Sequence, residues 1–131
     1  MNLPDTKEMD DFYNKSRELN ELKKTKISLL EYKNTIIKDK VDNGVIIELN
    51  DDIAAVEEEI SKRISEIDKR KTLVKKSINR ISDKVAVVAG RLHYINGLPW
   101  SVVAYTLKDT TEDSVRARFY RGMRNLEKEG K

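Results

Sequence analysis

Tyr94-Ile-Asn-Gly97-Leu-Pro99-Trp100-Ser-Val-Val103-Ala104-Tyr-Thr-Leu107-Lys-Asp-Thr110-Thr-Glu-Asp-Ser-Val115-Arg-Ala-Arg-Phe119-Tyr-Arg-Gly122-Met-Arg-Asn-Leu126 reads as a helix end, a glycine turn, a short helix, a second turn and a basic helix. Gly97 suits the positive φ that ends a helix, and Pro99 suits a first helical turn, where its missing N–H is not needed. Leu107 stands three residues after Ala104 and four after Val103, so the three share a face. Lys108-Asp109-Thr110 forms the turn. Thr110 or Thr111 can cap the next helix. With Thr110 as cap, Asp113 stands in the reciprocal capping position.

The second helix carries the sharper signal. Val115, Phe119, Gly122 and Leu126 follow i, i+4, i+7 and i+11, one buried stripe. The opposite face holds Asp113, Ala117, Tyr120 and Arg124, flanked by Arg116 and Arg121. Four arginines (116, 118, 121, 124) fall between Ser114 and Leu126 with no acid among them. Arginines crowded on one short helix call for an anionic partner, and the guanidinium fork matches both phosphate oxygens and guanine edges.

Gly97-Leu98-x-Trp100-x-x-Val103-Ala104-x-x-Leu107, followed by Thr111-x-x-x-Val115-Arg116-x-Arg118-Phe119-x-Arg121-x-x-x-x-Leu126, resembles the helix-turn-helix of sigma-factor region 4. Leu92-His93-Tyr94-Ile95-Asn96-Gly97 is similar to the helix end that precedes that motif. The likeness departs at Lys108, where a turn glycine is usual, and in a turn one residue longer. There is no room for the region that melts promoter DNA, so the chain is not read as a sigma factor. The resemblance implies DNA binding with helix 111–126 in the major groove, as in small regulators of phage or prophage type. Arg116, Tyr120, Arg121 and Arg124 then supply most contacts, Ser114 and Ala117 lie near base edges, and Ser101 meets a phosphate from its helix N-terminus.

Charge placement agrees with that footprint. Residues 1–83 carry 17 basic and 18 acidic side chains, whereas residues 84–131 carry 9 and 5. The excess of positive charge lies at the C-terminal end. Cysteine is absent, so neither a disulfide nor a thiolate metal site can form. No apolar signal core and no run of membrane-spanning length occurs, and a cytoplasmic location in a bacterial host cell is expected.

The chain before the motif reads as a long antiparallel helical hairpin, a coiled-coil-like arm. From Lys7 to about Lys38, Phe12, Leu19, Leu22, Leu29 and Ile36 step by heptad distances, with lysines (15, 26, 33) in several core slots. Tyr13, Ile27, Leu30 and Ile37 widen the stripe. Val41-Asp-Asn-Gly-Val45 is read as the turn, with a β-hairpin as the competing reading, and Val45–Leu49 as a loop. Asn50 is read as a helix cap, with Leu49 stapled to Ala54. From Asp51 to about Tyr94, Ile53, Val56, Ile60, Ile64, Ile67, Val74, Ile78, Ile81, Val85, Val88 and Leu92 keep a near-continuous seam, with a break at 68–72 or at Ser77 as an option. Residues 85–89 are expected to lie beneath the motif, and Gly90 to permit a close approach.

The fold expected is therefore all-α, with an arm over residues 1–80 and a helix-turn-helix domain over 81–131. Catalysis has no foothold. His93, the single histidine, has no ligand set and is read as a surface or half-buried helix residue. Glu57–Glu59 reads as a solvated helix surface rather than an acid/base pair. Trp100 is read as core, and Tyr105 as core or a partner contact. No cofactor and no metal is expected, and the chain is not expected to be an enzyme. The partners expected are double-stranded DNA and a second copy through the arm, with no membrane. Two rival functions share the layout: a phage small terminase subunit on packaging-site DNA, and a coiled-coil interaction module engaging RNA polymerase or another regulator.

Overall fold

The computed structural model describes residues 3–39, 43–108 and 110–129. It is all-helical, with no strand among the described residues. The elements are α1 (Thr6–Lys38), α2 (Asn43–Asn79), α3 (Lys84–Gly90), α4 (Trp100–Leu107) and α5 (Glu112–Glu129). α3 keeps helical backbone angles through Gly90 and widens into a π turn over Arg91–Ile95.

Local chemistry accounts for most helix ends. Asp5 and Glu8 cap α1 reciprocally: the Glu8 amide donates to Asp5 Oδ1 (2.8 Å) and the Asp5 amide to Glu8 Oε1 (3.4 Å). α2 tightens into i→i+3 bonds, Arg80 N–H to Ser77 O and Ile81 N–H to Ile78 O, and stops. Asp83 then caps α3, accepting from the amides of Val85 (3.0 Å) and Ala86 (3.4 Å). Gly97 takes φ +76°, as its position requires, and Pro99 is the N-cap of α4.

Three expectations are corrected here. Asn43 and Gly44 belong to α2, so neither the turn nor the β-hairpin reading holds for them; Val41 and Asp42 lie outside the described residues. Val45–Leu49 is helical, and Asn50 is inside the helix instead of capping it. Burial of Leu49 one turn before Ile53 extends the seam backward, and tertiary packing outweighs the local cap signal. The long pattern from Asp51 is interrupted at residues 80–83, later than either expected break. The interruption resets the helical phase, so Val85 and Val88 are exposed and Ala86, Ala89 and Gly90 are buried instead.

The chain divides into two compact units, Lys15–Ile67 and Met1–Asn14 together with Asp68–Lys131. These borders differ from the sequence boundary at residue 80. In Lys15–Ile67 the cross-helix ion pairs run in antiparallel order: Lys15–Glu66 (3.1 Å), Glu18–Arg63 (2.7 Å) and Lys26–Glu57 (3.6 Å). Buried Leu19 and Ile36 on α1, and Leu49, Ile53, Ile60 and Ile67 on α2, form the seam.

The other unit has a thicker, aromatic core. Tyr94, Phe119, Met9, Ile78, Met123, Val74 and Val103 are its largest fully buried side chains. Met9, Phe12 and Tyr13 show that the first turns of α1 belong to this core. α5 packs on α3 and α4. Gly90 is the close approach the sequence suggested, since a Cβ there would stand 2.4 Å from Phe119 Cε1. Gly122 is a second one, with Ile81 Cγ2 at 2.8 Å.

Candidate nucleic-acid interface

α5 is fixed from its inner side. Val115, Phe119 and Met123 are buried, while Gly122 and Leu126, expected in the same stripe, are half-buried. The stripe therefore lies slightly rotated from the expected one, toward Met123. Trp100 is buried, its ring 5.7 Å from that of Phe119. Val103 and Ala104 bury the inner face of α4, and Tyr105 points outward, 85% exposed.

His93 is buried, contrary to the surface or half-buried reading. Its ring lies between Tyr13 and Trp100, stacked on both at 4.0 Å, and Nδ1 is 2.7 Å from Leu98 O. The Leu98 carbonyl accepts, so that nitrogen carries the proton. Periodicity could not place this residue, because both the π turn and the docking of α1 are needed to enclose it.

Thr111 caps α5: its hydroxyl accepts from the Ser114 amide at 3.1 Å. The sequence left Thr110 and Thr111 open, and the Asp113 reciprocal arrangement is not formed. Asp113 instead accepts from Arg116 (3.2 Å), an exposed pair one turn apart. Between α4 and α5, Lys108 takes φ +54°, a conformation that favours glycine.

The expected contact residues separate into four groups. Arg121, Arg124, Ser114 and Ala117 are exposed on the outer side of α5. Among the described residues, neither Arg121 nor Arg124 pairs with a carboxylate. Arg116, half-buried, is engaged with Asp113. Tyr120 is half-buried, with its hydroxyl 3.4 Å from Asp10 Oδ2. Ser101 is exposed in the first turn of α4.

Asp10 and Asp83 escaped the sequence reading. The Tyr94 hydroxyl donates to Asp10 Oδ1 at 2.5 Å, and Tyr120 shares the same carboxylate. Burial, and then Asp10, raise the Tyr94 phenol well above its ordinary value; burial raises Tyr120 as well. No local signal links Asp10 to a tyrosine 84 residues away. Asp83 receives a two-pronged bond from Arg118, Nε to Oδ2 and a terminal nitrogen to Oδ1 (3.0 Å). That guanidinium holds the Asp83 carboxyl below its usual range. A serine-aspartate pair before an apolar run was the available signal for this cap.

The four arginines of α5 thus do different work. Arg118 ties α5 to the start of α3, Arg116 is paired within its own helix, and Arg121 and Arg124 carry charge with no structural counterpart among the described residues. Among those residues no cluster of histidine, aspartate and glutamate could hold a metal ion, and no helix is long and apolar enough to cross a membrane. No family model, no curated protein and no solved structure matches the chain.

Proposed function

We propose that the chain binds double-stranded DNA as a sequence-specific transcriptional regulator, with α4 and α5 acting as a helix-turn-helix that follows a helical hairpin arm in the sequence. The observation that carries this reading is the outer side of α5. Arg121 and Arg124 are exposed there and meet no carboxylate among the described residues, while the opposite side is locked into the core by Phe119 and Met123. A rigidly mounted helix offering exposed guanidinium groups suits phosphate oxygens and base edges in a major groove. Ser114 and Ala117, small and exposed on the same side, allow close approach to base edges. Arg116 joins them when the groove competes with Asp113 for its guanidinium. Tyr120 serves by holding α5 to Asp10. The resemblance to sigma region 4 supports the same docking, and the region-4 arrangement with a helical arm fits a small phage or prophage regulator that is not an enzyme.

The test is binding to duplex DNA across a salt series, beside Arg121→Ala/Arg124→Ala. Removing two phosphate contacts lowers the slope of log affinity against log salt by about two. Unchanged affinity and slope would show that the groove contacts lie elsewhere.

A further inference from the structure

The unit Lys15–Ile67 has two unlike edges. Burial on α1 follows Leu19, Leu22, Lys26, Leu29, Lys33 and Ile36, and on α2 Leu49, Ile53, Val56, Ile60, Arg63 and Ile67. These are seam positions of a heptad pattern. Along one edge the seam is bordered by ion pairs, Lys15–Glu66, Glu18–Arg63 and Glu59–Arg63. Along the other it is bordered by isoleucine and leucine. Ile27, Leu30 and Ile37 of α1 lie there, with Ile47 and Ile64 of α2, each between 37% and 61% exposed. The Lys26–Glu57 pair shows that the two rows share an edge. Leu30 is one turn beyond Lys26, and Ile64 repeats the heptad position of Glu57.

Charge identifies what fits this edge. Residues 15–38 carry seven basic and three acidic side chains, a net of +4. Residues 43–67 carry two basic and seven acidic, a net of −5. The apolar row on α1 is fringed by Lys23, Lys24 and Lys38 with one acid, Glu31, among them, and the row on α2 by Asp51, Glu57 and Glu58. A patch that is half basic and half acidic, with apolar residues along both halves, is complementary to itself under a two-fold rotation.

We propose that this edge is the docking surface for a second copy of the chain, with α1 of each copy lying over α2 of the other in a four-helix contact. The rotation sets each basic helix against an acidic one and covers the five exposed apolar side chains. A partner of one charge sign would meet repulsion along half of the edge, which favours a second copy over a uniformly acidic or basic protein. The inference stands apart from the DNA reading, because it is measured as mass in the absence of DNA.

The experiment is sedimentation equilibrium of the full chain at tens of micromolar. The expected result is twice the 15.2 kDa chain mass. Ile27→Asp/Ile47→Asp, at two highly exposed positions, should return a single-chain mass with unchanged helical circular dichroism. Two charge-reversed variants, Lys23→Glu/Lys24→Glu and Asp51→Lys/Glu58→Lys, should each be weakened alone and form a mixed dimer together. A single-chain mass for the unaltered protein overturns the proposal. So does a dimer that Ile27→Asp/Ile47→Asp leaves intact, or a pair of charge variants that fails to combine.

Discussion

The two compact units solve opposite problems. The unit Lys15–Ile67 has a thin seam with lysine at two of its α1 positions and leaves large apolar side chains outside. The unit containing α3, α4 and α5 encloses an aromatic cluster of Tyr13, His93, Tyr94, Trp100 and Phe119. It leaves arginines outside instead. Exposed apolar edges suit a protein surface, and guanidinium groups that meet no carboxylate among the described residues suit an anion. The contrast also predicts where the chain is most sensitive to change.

The largest effect should fall on the aromatic core. Phe119→Ala is expected to cost about 3–5 kcal/mol, because the ring is fully buried, packed closely against Gly90. Leu29→Ala, at a half-buried seam position of the other unit, should cost roughly 1–2 kcal/mol, below the range for fully buried leucines. Urea unfolding followed by circular dichroism compares them. Equal losses would break the distinction between the units.

Gly90→Ala comes next. Its new methyl group would meet the Phe119 ring at 2.4 Å, an overpacking worth about 1–3 kcal/mol, partly offset by the better helix propensity of alanine. A net gain in the thermal midpoint would show that the ring moves freely. Asp83→Ala removes the α3 cap and should cost about 1–2 kcal/mol by the cap alone. Asp83→Asn keeps a capping oxygen and isolates the contact to Arg118. Because the folded carboxyl is held below its ordinary 3.8, that contribution is present above about pH 3.8 and is lost as pH falls through the lower folded value. The acid limb of a stability profile should therefore be shallower in Asp83→Asn. An unchanged limb would show that the Asp83–Arg118 contact does not stabilise the fold.

At the alkaline end Tyr94 works in the opposite sense. Its folded value lies above the ordinary 10.0, so its contribution is intact below pH 10 and declines as pH rises beyond it. Tyr94→Phe should flatten that decline. The smallest effect is a gain: Lys108→Gly relieves a positive φ and should stabilise by roughly 1 kcal/mol.

The sequence disclosed what is local and periodic. The all-helical class, the positions of α4 and α5, the positive φ of Gly97, the burial of Trp100 and the tight packing at Gly90 all follow from spacing and residue type. It concealed what depends on distant partners. Ile78, Ile81, Val85 and Val88 keep a 3-4-3 rhythm straight through residues 80–83, so periodicity runs across a real break, and only the Asp83 cap marks it. Asn43-Gly44 has the composition of a turn, yet the seam beyond it holds these residues in a helix. Asp10 and Tyr13 look like ordinary positions on an arm, and nothing near them announces Tyr94 or His93. For the interface, charge separated the basic helix from the rest of the chain, but not the paired arginines from the unpaired ones. That distinction needed Asp83 and Asp113 in place.

DNA binding, as proposed, rests on one surface, the outer side of α5. Backbone amide shifts recorded on isotope-labelled protein during titration with a short DNA duplex test it most directly. If α5 enters the groove, the largest changes cluster at Ser114, Ala117, Arg121 and Arg124, with the amides of Lys15–Ile67 little altered. Changes concentrated in that other unit, or none at low salt, would contradict it.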